Sequence, residues 1–139
     1  MRVEKLGEYL ENILKTLDNK YKRINADFLA LEDHNYSLDK IPVDNVVEKY
    51  ITGGGLYRNV FAFRSKKAYS AERLLNLKNI GFFEEFESII EKDNEGGILP
   101  KIDGIQSIRC LNCGTLISTD KSMKTAIFEI QVEIIYEEE

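Results

Sequence analysis

The chain has 139 residues, 43% of them hydrophobic, with two prolines and no low-complexity segment, which predicts one domain with a real core over residues 1–139. Its 19 basic and 24 acidic residues leave a formal net charge of −5, which speaks against the basic footprint of a nucleic-acid-binding domain and against specific nucleic-acid binding. No run approaches the roughly 20 apolar residues that span a bilayer, so no membrane association is expected.

The opening stretch, MRVEKLGEYLENIL, is interrupted by acids and reads as no signal peptide. Residues 2–19 predict an amphipathic helix. Val3, Leu6, Leu10, Ile13, Leu14 and Leu17 recur at helical spacing, with Glu4, Lys5, Glu8, Glu11, Asn12 and Lys15 between them. The apolar stripe is expected to pack on a sheet. Residues 20–44 show no lasting period. Phe28, Leu29 and Leu31 suggest one short extended segment and Tyr36 to Lys40 another, while Pro42 biases Ile41 away from helix. An excursion of this length predicts an arm able to reach a neighbouring subunit.

Val46 to Ile51 and Leu56 to Ser65 are rich in β-branched and aromatic residues and read as strands joined by Thr52-Gly53-Gly54-Gly55. Ala71 to Asn94 follows as helix, with Ser70 as candidate N-cap. Gly81 leaves open two short helices or one kinked helix, and NEGG followed by Pro100 marks the stop. Gln106 to Ser118 and Thr125 to Tyr136 predict the last two strands, linked by TDKSM. In the final one Ala126, Phe128, Ile130, Val132, Ile134 and Tyr136 share a face opposite Thr125, Glu129, Gln131 and Glu133. The sum is an α+β fold: a largely antiparallel sheet of about four to five strands, with two to three helices packed on one face.

Four features invite a chemical reading. The triglycine lacks the Lys-Ser or Lys-Thr of a phosphate-binding loop, and a strand follows it where such loops need a helix N-terminus, so a hairpin turn is expected. Cys110 and Cys113, in CLNC, form a single pair, and with one histidine in the chain the usual four ligands of a zinc site are lacking. Within a strand, residues three apart face opposite ways, so the thiols are expected to point apart and to be structural and reduced, in a cytosolic compartment. His34 sits beside Glu32 and Asp33 in a predicted loop, with no recognisable nucleophile. Glu84, Glu85, Glu87 and Glu91, like the run Glu137 to Glu139, read as solvated faces, the first group opposite Phe82, Phe86 and Ile89. No catalytic, cofactor-binding or metal-binding residues are therefore expected, and the reading is not an enzyme.

Several pieces together carry a family resemblance: YLENILKTLD at the start, VVEKYITGGGLYRNVFAFRSKKAYSAERLLNLKNIGFFEEFESIIE in the middle, and ILPKIDGIQSIRCLNCGTLISTDKSMKTAIFEIQVEIIYEE at the end. The chain resembles the small minor capsid or tail-terminator proteins of siphophages and prophages of Gram-positive bacteria. The resemblance covers nearly the whole chain, and none of its parts is a catalytic signature. It implies a structural virion protein, assembled in the host cytoplasm, that caps the tail tube as a homo-oligomeric ring, often six-fold. Its partners would be the major tail tube protein and the head–tail connector protein. A head–tail connector or neck subunit is the nearest alternative, and a small cytosolic ligand-binding or regulatory domain the alternative from another class.

Overall fold

The computed structural model describes residues 2–17, 24–26, 35–68, 73–112, 114–119 and 125–139. Among these the chain runs through helix α1 (Arg2–Leu17), strands β1 (Ile24–Ala26), β2 (Asn35–Ile41), β3 (Val46–Lys49) and β4 (Gly55–Ala68), helix α2 (Arg73–Gly96), and strands β5 (Ile105–Cys110), β6 (Thr115–Thr119) and β7 (Thr125–Glu138). The α+β class and the antiparallel sheet are as expected. The strand count is not: the described residues form a seven-stranded sheet, not one of four or five.

The difference has a simple geometry. Two long strands, β4 and β7, pair antiparallel from Gly55↔Glu138 to Ala68↔Thr125 and form the spine. Each flank of the spine is shared by two shorter strands. β3 and β2 lie end to end along β4, and β5 and β6 along β7. β1 adds outside β2 in a parallel pair. Each lane split in two raises the count without widening the sheet.

The predicted strand over Gln106 to Ser118 is one of these split lanes. From Cys110↔Val132 to Thr115↔Glu129 the outer lane advances five residues while β7 advances three, so the excess must leave the ladder. Asn112 makes the break tolerable. Its side-chain Oδ1 accepts the Gln131 amide at 2.7 Å, in place of a backbone carbonyl, while the Leu111 amide donates to the Gln131 carbonyl at 2.8 Å.

α1 and α2 share one face of the sheet. Leu6, Tyr9, Leu10, Ile13 and Leu14 from α1 join Phe83, Phe86 and Ile90 from α2 in one cluster with Phe61, Phe63, Ile130, Val132 and Ile134 from the spine. The excursion over residues 20–44 is not an arm throughout, because Tyr36 and Leu38 of β2 point into the same core. Residues 27–34, with the proposed segment at Phe28, Leu29 and Leu31, lie outside the described residues, as does Ser70. An aromatic stack ties the layers together. The Tyr36 and Phe63 rings stack at 5.5 Å, and Phe63 stacks on Phe86 at 5.0 Å, within 3° of parallel.

α2 passes Gly81 as a single helical element. It stops at Gly97 (φ 74°), where the Ile98 amide donates to the Asp93 carbonyl and the Gly97 amide to the Asn94 carbonyl. This is the paired six-to-one and five-to-two closure that a left-handed glycine permits.

Candidate functional site

The triglycine closes the β3–β4 hairpin. The Tyr50 amide donates to the Gly54 carbonyl at 3.1 Å and the Gly53 amide to the Tyr50 carbonyl at 3.2 Å. Gly53 and Gly54 hold φ of 102° and 72°, a region side chains resist. A side chain on Gly54 would also strike the backbone carbonyl of Glu138, and one on Gly55 the carbonyl of Glu48. The glycines let two backbones approach, and the element that follows them is a strand, not a helix. The Tyr50 hydroxyl adds a 3.3 Å bond to Glu137, fastening the tip to the end of β7. Between these anchors Ile51 is fully exposed, and all four residues of β3 are exposed, including the adjacent pair Val46 and Val47.

A separate feature lies on the opposite flank of the sheet. An open groove of 420 Å³ runs between α2 and β5, lined among others by Glu87, Ile90, Glu91, Ile108, Cys110 and Leu111. Cys110 ends β5 and packs half-buried against the core. The expectation that the two thiols point apart by strand alternation does not hold as argued, because the strand stops before Cys113, itself outside the described residues. His34 is also outside them. Among the described residues no group of three or more His, Cys, Asp or Glu could hold a metal ion.

The α2 carboxylates divide. Glu84, Glu85 and Glu91 are exposed, while Glu87 is half-buried; the side facing the core is set by Phe83, Phe86 and Ile90, with Phe82 and Ile89 half-buried beside them. Glu137 to Glu139 are exposed at the end of the sheet. There Arg2 reaches Glu138 at 3.2 Å and lies 4.0 Å over the Tyr136 ring, pinning α1 to β7.

Near the groove, the Tyr9 hydroxyl donates to Asp93 at 2.8 Å and joins α1 to α2. Burial first, then the hydrogen bond and negative charge of Asp93, raise the Tyr9 pKa well above the usual tyrosine value. A folded pKa above the unfolded one means that this contribution is complete below pH 10.0 and is lost as the pH rises beyond it. Tyr9→Phe is expected to cost about 1.5 kcal/mol at neutral pH, the size of a hydrogen bond to a charged group. It should also flatten the fall in stability above pH 10.0, which denaturant melts at pH 8 and above would measure.

Two charged arrangements were not singled out by sequence reasoning. On the sheet face away from the helices, Arg58 and Arg109 bracket the buried carboxylate of Glu133 at 3.4 and 2.8 Å, and Arg64 bridges Asp39 and Glu129 at 3.2 and 3.1 Å. On the helix face, Lys67 is buried, with Nζ 2.6 Å from the Tyr36 hydroxyl and 3.4 Å from the centre of the Phe82 ring. The alternation of Glu129, Gln131 and Glu133 was the available signal for the first; their burial was not visible in it.

In comparisons with known proteins, the chain matches no protein-family model and no curated protein. The described residues present an exposed apolar tip at Ile51, an open groove between α2 and β5, and ion pairs across the sheet.

Proposed function

We propose that this chain is a structural virion protein, a tail terminator that closes the end of a phage tail tube as a ring of identical subunits and presents it to the head–tail connector. The observation that carries the assembly reading is β3. An edge strand with every side chain exposed, two adjacent valines among them, and a fully exposed Ile51 at its turn gain little from the chain's own core. Such an edge is explained when a neighbouring molecule covers it. The phage role rests on the resemblance carried by the hairpin segment, GFFEEFESIIE and FEIQVEIIYEE.

The test mixes the purified protein with tail tubes and images the tubes by electron microscopy. Density confined to tube ends is expected, together with overlong or uncapped tails in phage lacking the protein. Protein coating the tube sides, or tails of normal length in its absence, would sink the terminator reading. Normal tails beside defective heads would favour the connector role.

A further inference from the structure

Among the described residues β3, β5 and β6 each pair on one side only, and each slips by one residue against the spine. The extra residue is Val47 in β3, between Val46↔Tyr57 and Glu48↔Leu56. It is Gln106 in β5, between Ile105↔Tyr136 and Ser107↔Ile135, and Ile117 in β6, between Leu116↔Phe128 and Ser118↔Ile127. A strand added from outside needs a regular row of outward amides and carbonyls. Each slip breaks that row.

Side chains take outward amides in two of the three strands. In β3 the Asn45 carbonyl accepts the Arg58 amide, so by alternation Val46 turns its own amide away from β4. That amide donates to Asp44 Oδ1 at 3.2 Å. In β5 the Leu111 amide donates inward to the Gln131 carbonyl, so Ile108, three residues earlier, turns outward. Its amide donates to Asn94 Oδ1 of α2 at 3.0 Å. The gap between β5 and β6 is closed the same way, by Asn112 Oδ1 on the Gln131 amide. The flanks call for such closure. Val46 and Val47 on β3, and Leu116 and Ile117 on β6, are exposed aliphatic residues on outer strands, the combination that lets one sheet add to another.

We propose that Asp44 and Asn94, together with the one-residue slips at Val47, Gln106 and Ile117, close these outer strands to strand addition. A partner that covers β3 then meets the side chains of Val46, Val47 and Ile51 without lengthening the sheet. This concerns the mode of contact and does not rest on the terminator reading.

The test uses the full chain carrying Asp44→Ala, Asn94→Ala, a deletion of Val47, or that deletion with Asp44→Ala. Self-association is followed by sedimentation velocity up to millimolar concentration. Shared ladders are detected by isotope-edited infrared spectroscopy of labelled and unlabelled copies. Deletion of Val47 with Asp44→Ala is expected to raise self-association by about tenfold or more, with backbone coupling between copies, and each point variant to raise it less. Val47→Ser keeps the extra residue and removes the exposed valine, so it should behave as the parent. Adding Val46→Lys to the deletion variant places a charge on the reopened edge and should abolish the gain. That arm separates strand addition from aggregation of a misfolded chain. Variants that associate no more than the parent, or association that Val46→Lys leaves in place, would overturn the proposal. So would a parent chain that associates with backbone coupling between copies, a result that would leave the ring standing.

Discussion

Phe86→Ala is expected to destabilise the fold by about 3–5 kcal/mol, lowering the melting temperature by roughly 10 °C or more. The ring is fully buried in α2 and lies flat on Phe63 of β4, with centroids 5.0 Å apart. Phe63 in turn stacks on Tyr36 of β2, so three elements meet through one column of rings. Truncation removes the burial of a whole aromatic side chain and leaves a cavity whose walls belong to a sheet and a helix. A sheet backbone tied into ladders on both sides cannot sink into that space. Phe82→Ala, half-buried one turn away at the rim of the cluster, should cost less. Equilibrium urea melts of the two variants test the ranking. A Phe86→Ala variant that loses under about 1 kcal/mol would show that α2 does not seat on the sheet as described.

How much of this was visible in the sequence depends on the range of the forces involved. α1 could be read because its stripe repeats every three to four residues over four turns, and the core takes up that same stripe, with Tyr9 added. β7 could be read because Ala126 to Tyr136 alternate without a break on the core side. The hairpin followed from three glycines between two β-rich runs. The split of the outer lane could not be read, since Leu111-Asn112 looks like strand until the Gln131 amide, on another strand, is seen to bond the Asn112 side chain. β2 could be read only as the short extended segment from Tyr36 to Lys40 and is found there, but as part of a loose excursion: Tyr36 and Leu38 supply its deeply buried apolar side chains, too few to establish a period against Ser37 and Asp39. Nor could the groove be foreseen, because 420 Å³ of open space between α2 and β5 is a property of packing, with no local motif. Glu133 is the clearest case. Its place in an alternating strand suggested solvent, yet partners 75 and 24 residues away bury it.

That carboxylate yields the second large effect. Glu133 is 2% exposed, while Arg58 and Arg109 remain 37% and 64% exposed, so the three groups have unequal stakes in the cluster. Removing the glutamate frees two arginines that water already reaches. Removing both arginines leaves a charge that water does not reach. The double variant Arg58→Met, Arg109→Met is therefore expected to lose about 3 kcal/mol, the scale of stranding a buried charge. Part of the loss will come from the 3.0 Å bond between Arg58 Nε and the Asp44 carbonyl, which tethers the entry to β3. Adding Glu133→Gln separates the two contributions. The neutral amide costs far less to keep buried than a lone carboxylate, so the triple variant should recover most of the stability that the double variant loses, leaving only the tether's share missing. Urea melts of the parent, the double variant, Glu133→Gln alone and the triple variant close the cycle. A triple variant no more stable than the double would mean that the arginines act through packing and the tether, and that the Glu133 charge is not what holds β4, β7 and β5 in register.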